Sequence, residues 1–182
     1  MEAVSHDFAK LLDDDPSHDV EFTCGVQSIT AHKNVLCSRS DVFASMLHSD
    51  MVEGKTGQVN IQDMDAGIFQ QFLKYLYSGM LPELTIDSAK QLYKAGDKYA
   101  IDTLKKQCAE FLSDNLSLEN ACDILLLADL HSDPNFKECI KKYFFKEKVP
   151  MQAENWSDFC KENPILANEI LNSFCQYLCS KK

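Results

Sequence analysis

The strand-like part of the chain is confined to its first third, and helical patterns fill the rest. Polar and apolar residues alternate over residues 19–24 and again over 27–31, which predicts a β-hairpin. Residues 58–61 predict a third short strand. We therefore predict an α+β domain at about residues 1–115, followed by an all-helical domain at about residues 116–182.

The segment after the hairpin, residues 31–54, predicts two short helices and then an exposed loop. Apolar residues recur at helical spacing, and Ser40 or Asp41 stands where the second helix needs an N-cap. Met51 and Val52 are apolar but lie in a polar, glycine-bearing context. Either Met51 packs back into the core as the tail of the helix, or it is an exposed apolar anchor with Glu53 two residues on. Side-chain chemistry alone slightly favours the first interpretation.

The N-terminal residues 1–16 predict a short helix that ends at an acidic run before Pro16. Its single apolar face must pack on its own domain or on a second copy of the chain, and the residues leave both alternatives open. The face consists of Val4, Phe8, Leu11 and Leu12.

Several later helices carry start and stop signals. Gly79 closes the helix after Asp65, and proline occupies the first helical position after two of the caps. The predicted helix starts are at Asp65, Asp87, Ser117, Asp133 and Asn163.

Composition narrows the classes of partner. The chain carries 28 acidic and 18 basic residues, and a net charge of −10 repels the phosphate backbone of nucleic acids. No apolar run has the length of a membrane span, and the first residues lack the pattern of a secretory signal. We therefore expect no nucleic acid and no membrane as partner, a location in the nucleus or cytoplasm, and reduced cysteines.

The motifs of enzymes and of cofactor sites are missing, so we expect no catalytic activity, no cofactor and no metal. The six glycines form no phosphate-binding loop, and no zinc-type Cys-x-x-Cys pair occurs among the eight cysteines. Cys175 and Cys179 share a helix face and could form half of a metal site, but small buried hydrophobic side chains are the preferred interpretation of the cysteines. We interpret a group of basic side chains as solvated surface: Lys137, Lys141, Lys142, Lys146 and Lys148.

Ordered motifs give the chain a family resemblance. They are Asp-Val-Glu-Phe at 19–22, Ile-Thr-Ala-His-Lys at 29–33, Arg-Ser-Asp-Val-Phe at 39–43, Tyr-Leu-Tyr-Ser-Gly at 75–79 and Ala-Gly-Asp-Lys-Tyr at 95–99. On these segments the chain resembles the BTB/POZ family. The segments at 115–121 and 124–132 resemble the start of a BACK-type helical extension, in particular that of the speckle-type POZ group.

The resemblance implies a BTB domain that dimerises and binds a scaffold of the cullin-3 class. Such a protein is a non-enzymatic adaptor of a cullin-RING ubiquitin ligase, which promotes ubiquitination and proteasomal degradation of substrates. Met51, Val52 and Glu53 match the family's apolar-x-Glu cullin motif, with Tyr77 as a further contact, so the exposed-anchor interpretation of Met51 becomes the preferred one. The matching dimer positions are Val4, Phe8, Leu11 and Val35.

Speckle-type POZ proteins carry a substrate-capturing MATH domain ahead of the BTB domain, whereas here Met1 stands almost at the first BTB helix. Either the chain is a fragment or a truncated paralogue, or it works without its own substrate reader. We expect a homodimer, or a heterodimer with related BTB proteins in which a MATH-bearing relative supplies the substrate reader. The last helix, about residues 164–179, corresponds to the region that extends the cullin contact or supports higher assembly. The alternative function is a BTB dimer that acts as a scaffold or transcriptional corepressor platform without cullin.

Overall fold

The computed structural model describes residues 9–13, 17–48 and 52–180. It divides the chain into two compact units, Met1–Cys108 and Ala109–Lys182. The first unit contains all the described strands together with helices, so the predicted α+β class is confirmed. The described residues of the second unit form helices joined by short turns, with no strand among them. The domain boundary near residue 115 stays a prediction.

The sheet of the first unit has three short strands in the order β2-β1-β3. β1 (Val20–Cys24) and β2 (Gln27–Ala31) form the predicted antiparallel hairpin, and Gly25 in its turn has a left-handed φ of 61°. β3 (Gln58–Ile61) lies on the other side of β1 and runs parallel to it. The local pattern predicted all three strands but not the parallel pairing.

Helices cover the sheet and fill the rest of the first unit. Residues 9–13 are helical, as the apolar spacing predicts. The last helix of this set crosses the boundary between the units. The helices are α1 (Lys33–Arg39), α2 (Asp41–Leu47), α3 (Val52–Thr56), α4 (Ala66–Ser78), α5 (Ile86–Lys98) and α6 (Asp102–Asp114).

The core of the first unit is a cluster of aromatic rings. Phe43 from α2 stacks on Tyr99 with 4.5 Å between ring centroids, and Phe22 from β1 lies 4.8 Å from Phe69 of α4. Phe72 lies 5.2 Å from Tyr99 and completes the cluster. All five rings are buried, so the cluster joins the sheet to α2 and α4 through desolvated contact.

Two helix starts agree with the prediction, and at α2 the structure selects Ser40 over the alternative cap Asp41. Ser40 accepts a hydrogen bond from the Phe43 N–H and donates one to the Tyr99 carbonyl, at 3.1 and 2.7 Å. Asp65 accepts from the Ile68 N–H at 2.9 Å and starts α4. Ser40 therefore caps α2 and also fastens it to the segment that carries Tyr99.

The end of α4 agrees with the prediction, whereas the start of α5 does not. Gly79 ends α4 in the left-handed conformation, with φ of 69°. The helix start predicted at Asp87 is wrong by one residue, because α5 begins at Ile86. Thr85 and Ser88 form a reciprocal capping box there, which satisfies two backbone N–H groups that Asp87 does not reach.

The second unit is an array of helices around a core that contains the chain's single tryptophan. Trp156 stacks on Phe159 at 5.3 Å and meets Phe144 edge-on at 5.8 Å. Its fluorescence therefore reports on the packing of this unit. The helices are α7 (Ala121–Leu130), α8 (Pro134–Lys146), α9 (Val149–Gln152), α10 (Trp156–Glu162) and α11 (Pro164–Ser180).

The helix start predicted at Ser117 is wrong. The Asn120 side chain accepts from the Ser117 N–H at 2.8 Å and donates to the Asn115 carbonyl at 2.9 Å. These bonds hold residues 118–120 in turns, and α7 starts at Ala121. The starts of α8 after Asp133 and of α11 at Pro164 are as predicted.

Lys137 and Lys141, two of the lysines interpreted as solvated surface, are largely covered and ion-paired to other helices, which corrects that interpretation for them. Lys146 is also paired, with Glu147 at 3.2 Å, but its side chain stays 81% exposed. The Lys137 ammonium lies 2.6 Å from Asp129 on α7 and 2.7 Å from Glu169 on α11, and Lys141 lies 2.7 Å from Glu169. The Lys137 side chain is only 16% exposed. Helical spacing on α8 cannot show that carboxylates from two other helices approach this face.

This network changes the pKa of its members. Hydrogen bonds from Lys137 and then Lys141 lower the pKa of Glu169. Burial favours the neutral amine of Lys137, but hydrogen bonds to Asp129 and Glu169 outweigh it, so the pKa of Lys137 is raised. Glu169 therefore contributes stability that is present above its ordinary pKa and is lost as the pH falls through its lowered folded-state pKa. Lys137 contributes stability that is lost as the pH rises through its raised pKa.

We expect the Glu169→Gln variant to lose less stability than the wild type between pH 7 and pH 3. The difference should be about 1 kcal/mol, because these charge-assisted bonds are partly screened by solvent. Urea unfolding followed by Trp156 fluorescence at both pH values measures it. Glu138→Gln, at an exposed position on α8, is the matched control and should keep the wild-type pH dependence. Equal losses in the wild type and Glu169→Gln would contradict the assignment.

Candidate functional site

The segment predicted to be an exposed loop is a five-residue helix, α3. It starts at Val52, whose side chain is 70% exposed, while that of Glu53 is half-buried. The loop prediction is therefore wrong for residues 52–56. Met51 lies outside the described residues. An exposed apolar side chain and a half-buried carboxylate thus occupy successive positions of a short helix, and no side chain of α3 is buried in the core.

Tyr77, near the end of α4, has a different environment from Val52 and Glu53. It is 7% exposed, and its hydroxyl accepts from the His32 N–H at 2.8 Å and lies 2.8 Å from His32 Nδ1. The His32 ring also packs 4.5 Å from the ring of His18. The hydroxyl therefore holds the start of α1 against the end of α4, and the role of Tyr77 as a partner contact stays a prediction.

The predicted dimer residues are only partly within the described chain. Val4 and Phe8 lie outside it. Leu11 is 37% exposed and Val35 is half-buried, so each leaves part of an apolar side chain at the surface. Leu12, next to Leu11, is buried and fastens the 9–13 helix to its own unit. Whether the outer side of this helix meets a second copy stays a prediction.

The described residues contain no group of three or more His, Cys, Asp or Glu side chains that could hold a metal ion. The described cysteines are free thiols, and the interpretation as buried side chains is wrong for Cys175 and Cys179, which are exposed on α11. Burial raises the pKa of Cys108 and of Cys122 to about 12, which keeps both protonated at neutral pH. Within the described part of the chain, every helix is too short or too polar to cross a membrane.

Comparison with known proteins identifies the class. The BTB/POZ domain family matches residues 8–116, more than half of the chain, and the chain therefore belongs to the BTB/POZ family. BTB/POZ domains are protein-interaction modules. The BTB domain of zebrafish PATZ1 superimposes with a TM-score of 0.52 at 19% sequence identity, over 63% of this chain and 92% of that one, which supports the fold.

A longer relative resembles almost the whole chain. Protein maternal effect lethal 26 of Caenorhabditis elegans is 33% identical over 168 residues, which is 91% of this chain and 42% of the relative. The chain thus spans less than half of the length of that protein. The BTB/POZ prediction is confirmed. The BACK-type extension and the likeness to the speckle-type POZ group stay predictions.

Proposed function

We propose that this protein is a non-enzymatic adaptor that dimerises through its BTB domain and binds a scaffold of the cullin-3 class. In that role it promotes ubiquitination and proteasomal degradation of substrates in the nucleus or cytoplasm. The observation that carries the proposal is the pair formed by Val52, exposed on α3, and Glu53 beside it in a BTB domain.

The chemistry of α3 suits a mixed apolar and ionic contact. Transfer of an apolar side chain such as Val52 or Met51 into a pocket of the partner contributes roughly 1.5–3 kcal/mol. The carboxylate of Glu53 adds little affinity while exposed, but it fixes the orientation of the complex once an opposite charge faces it. Tyr77 is proposed as the further scaffold contact that the family resemblance implies.

Dimerisation completes the proposed adaptor. Leu11 and Val35 supply apolar surface on the described part of the domain, and Val4 and Phe8 are proposed to extend it. A second BTB chain with a MATH domain supplies the substrate reader in a heterodimer. Two linked scaffold sites then raise the effective concentration of ligase at one substrate. Residues 116–182 are proposed as the BACK-type extension, whose last helix extends the cullin contact or supports higher assembly.

We expect the wild-type chain to bind the purified N-terminal domain of cullin-3, and Met51→Asp and Glu53→Lys each to weaken that binding at least tenfold. The first variant loses an apolar contact, and the second reverses the charge that orients the complex. Isothermal titration calorimetry with the full chain measures the affinity.

Val26→Asp is the matched control, because Val26 is fully exposed at the hairpin turn of the same domain. This variant adds a charge at an exposed valine far along the sheet from α3 and should bind like the wild type. Equal binding by all four proteins, or no binding by the wild type, would refute the cullin proposal. The second result would favour the scaffold or corepressor alternative.

A further inference from the structure

We infer that Thr56 and Gly57 are positioning residues that set the direction of α3 and thereby the affinity of the partner site. The inference rests on the proposed function, because it concerns the same surface. It names two residues that do not themselves form the apolar-acidic pair, and it assigns them the placement of Val52 and Glu53.

α3 cannot hold its own direction. Five residues form little more than one turn, and a helix of that length is unstable in water without support from its surroundings. None of its side chains is buried, so core packing supplies no anchor. Partial burial of Glu53 and Gly54 supplies only limited lateral support, so the bonds at the C-terminal end of the helix carry much of its placement.

The Thr56 hydroxyl joins the last turn of α3 to the first residue of β3. It donates to the Val52 carbonyl at 2.8 Å and accepts from the Gln58 N–H at 3.1 Å. One bond reaches back to the residue that carries the exposed apolar side chain. The other reaches forward to a strand that is paired with β1. The hydroxyl thus fixes the Val52 backbone relative to the sheet.

Gly57 supplies the second connection. Its N–H donates to the Glu53 carbonyl at 2.9 Å, and its carbonyl accepts from the Glu21 N–H of β1 at 2.8 Å. Its φ is +68°, and a Cβ there would stand 3.0 Å from the Asp19 carbonyl oxygen. Since the left-handed conformation and the close backbone both disfavour a side chain, glycine closes the helix and reaches β1 without the strain that a larger residue would introduce.

Together the two residues tie each half of the proposed contact pair to the sheet. Thr56 acts on the backbone of Val52, and Gly57 acts on the backbone of Glu53. Without these bonds the chain still carries both side chains, but the helix adopts a wider range of orientations. The partner must then restrict these side chains when it binds, and the conformational entropy lost in that step weakens the complex.

The test compares Thr56→Val, which keeps the shape of threonine without the hydroxyl, with Thr56→Ser, which keeps the hydroxyl. Titration of each full-length variant with the cullin-3 N-terminal domain should show about three- to tenfold weaker binding for Thr56→Val. Thr56→Ser should bind within about twofold of the wild type. Gly57→Ala should weaken binding at least as much as Thr56→Val.

Two further readouts separate positioning from loss of fold. The thermal midpoint of Thr56→Val should stay near that of the wild type, while hydrogen exchange at the Gly57 and Gln58 amides becomes faster. Wild-type affinity of Thr56→Val, or an equal loss in Thr56→Ser, would overturn the inference. If the wild type does not bind cullin-3, the proposed function fails, and the exchange rates alone decide: faster exchange in Thr56→Val supports the positioning role, and unchanged exchange removes it.

Discussion

Replacement of Phe43 by alanine is expected to lower the free energy of unfolding of the first unit by about 3–5 kcal/mol, which is the usual cost for a buried phenylalanine. The ring is fully buried, stacks on Tyr99 at 4.5 Å and meets Phe22 edge-on at 5.8 Å. Its removal leaves a cavity between the sheet, α2 and the segment carrying Tyr99. Urea unfolding, monitored through the hydrogen exchange of the α4 amides, measures the loss.

Ser45→Ala is the control on the same helix, because Ser45 is exposed on α2. It should change the free energy of unfolding by no more than about 0.5 kcal/mol. A loss below about 1 kcal/mol for Phe43→Ala would mean that the neighbouring rings collapse into the space. The aromatic cluster would then not be the main support of α2.

Replacement of Gly96 by alanine is expected to lower the free energy of unfolding by about 2–3 kcal/mol. A Cβ at this position in α5 would stand 2.8 Å from the backbone nitrogen of Lys105 and 3.1 Å from its Cα. Both atoms belong to the backbone of α6, so no side-chain rotation relieves the contact, and the two helices must separate. Urea unfolding with the same exchange readout measures the change.

Gly67→Ala is the control for Gly96→Ala, because the same substitution at Gly67 is not expected to destabilise the protein. Gly67 lies in the first turn of α4, and the nearest atom to a Cβ there is the Asp65 carboxylate oxygen at 3.3 Å. Because the φ of Gly67 is compatible with alanine, the change reduces the entropy of the unfolded chain. We expect it to be neutral or to stabilise by up to about 1 kcal/mol. Destabilisation of equal size at both glycines would refute the close-approach argument.

Most features that depend on nearby residues could be predicted from the sequence, although the turns around Asn120 and the capping box of Thr85 and Ser88 are equally local and were missed. The hairpin follows from alternation around Gly25, and the caps Ser40 and Asp65 bond to backbone only three residues away. Gly79 ends α4 through its own conformational freedom. Each of these features is decided within one turn of the backbone, which is the range that a sequence pattern describes.

Features that depend on distant residues could not be predicted. The Tyr77 hydroxyl meets His32 across 45 positions, and Lys137 meets Glu169 across 32. α3 was predicted as a loop because its residues favour no helix, and its support comes from β1 and β3. The motif of the candidate site was found through family resemblance. The bonds by which Thr56 and Gly57 join α3 to the sheet could be seen only in the structure.

The sheet itself has a consequence for the order of assembly. β1 pairs with β2 across a tight turn, but Glu21 finds Gln58 only after residues 22–57 have been arranged. A hairpin forms within microseconds, whereas a parallel partner waits for closure of the intervening chain. That connection contains α1 and α2, so we expect the docking of these two helices to precede completion of the sheet. The helix that carries the proposed contact pair is therefore fixed at one of the last steps of folding, when β3 joins β1.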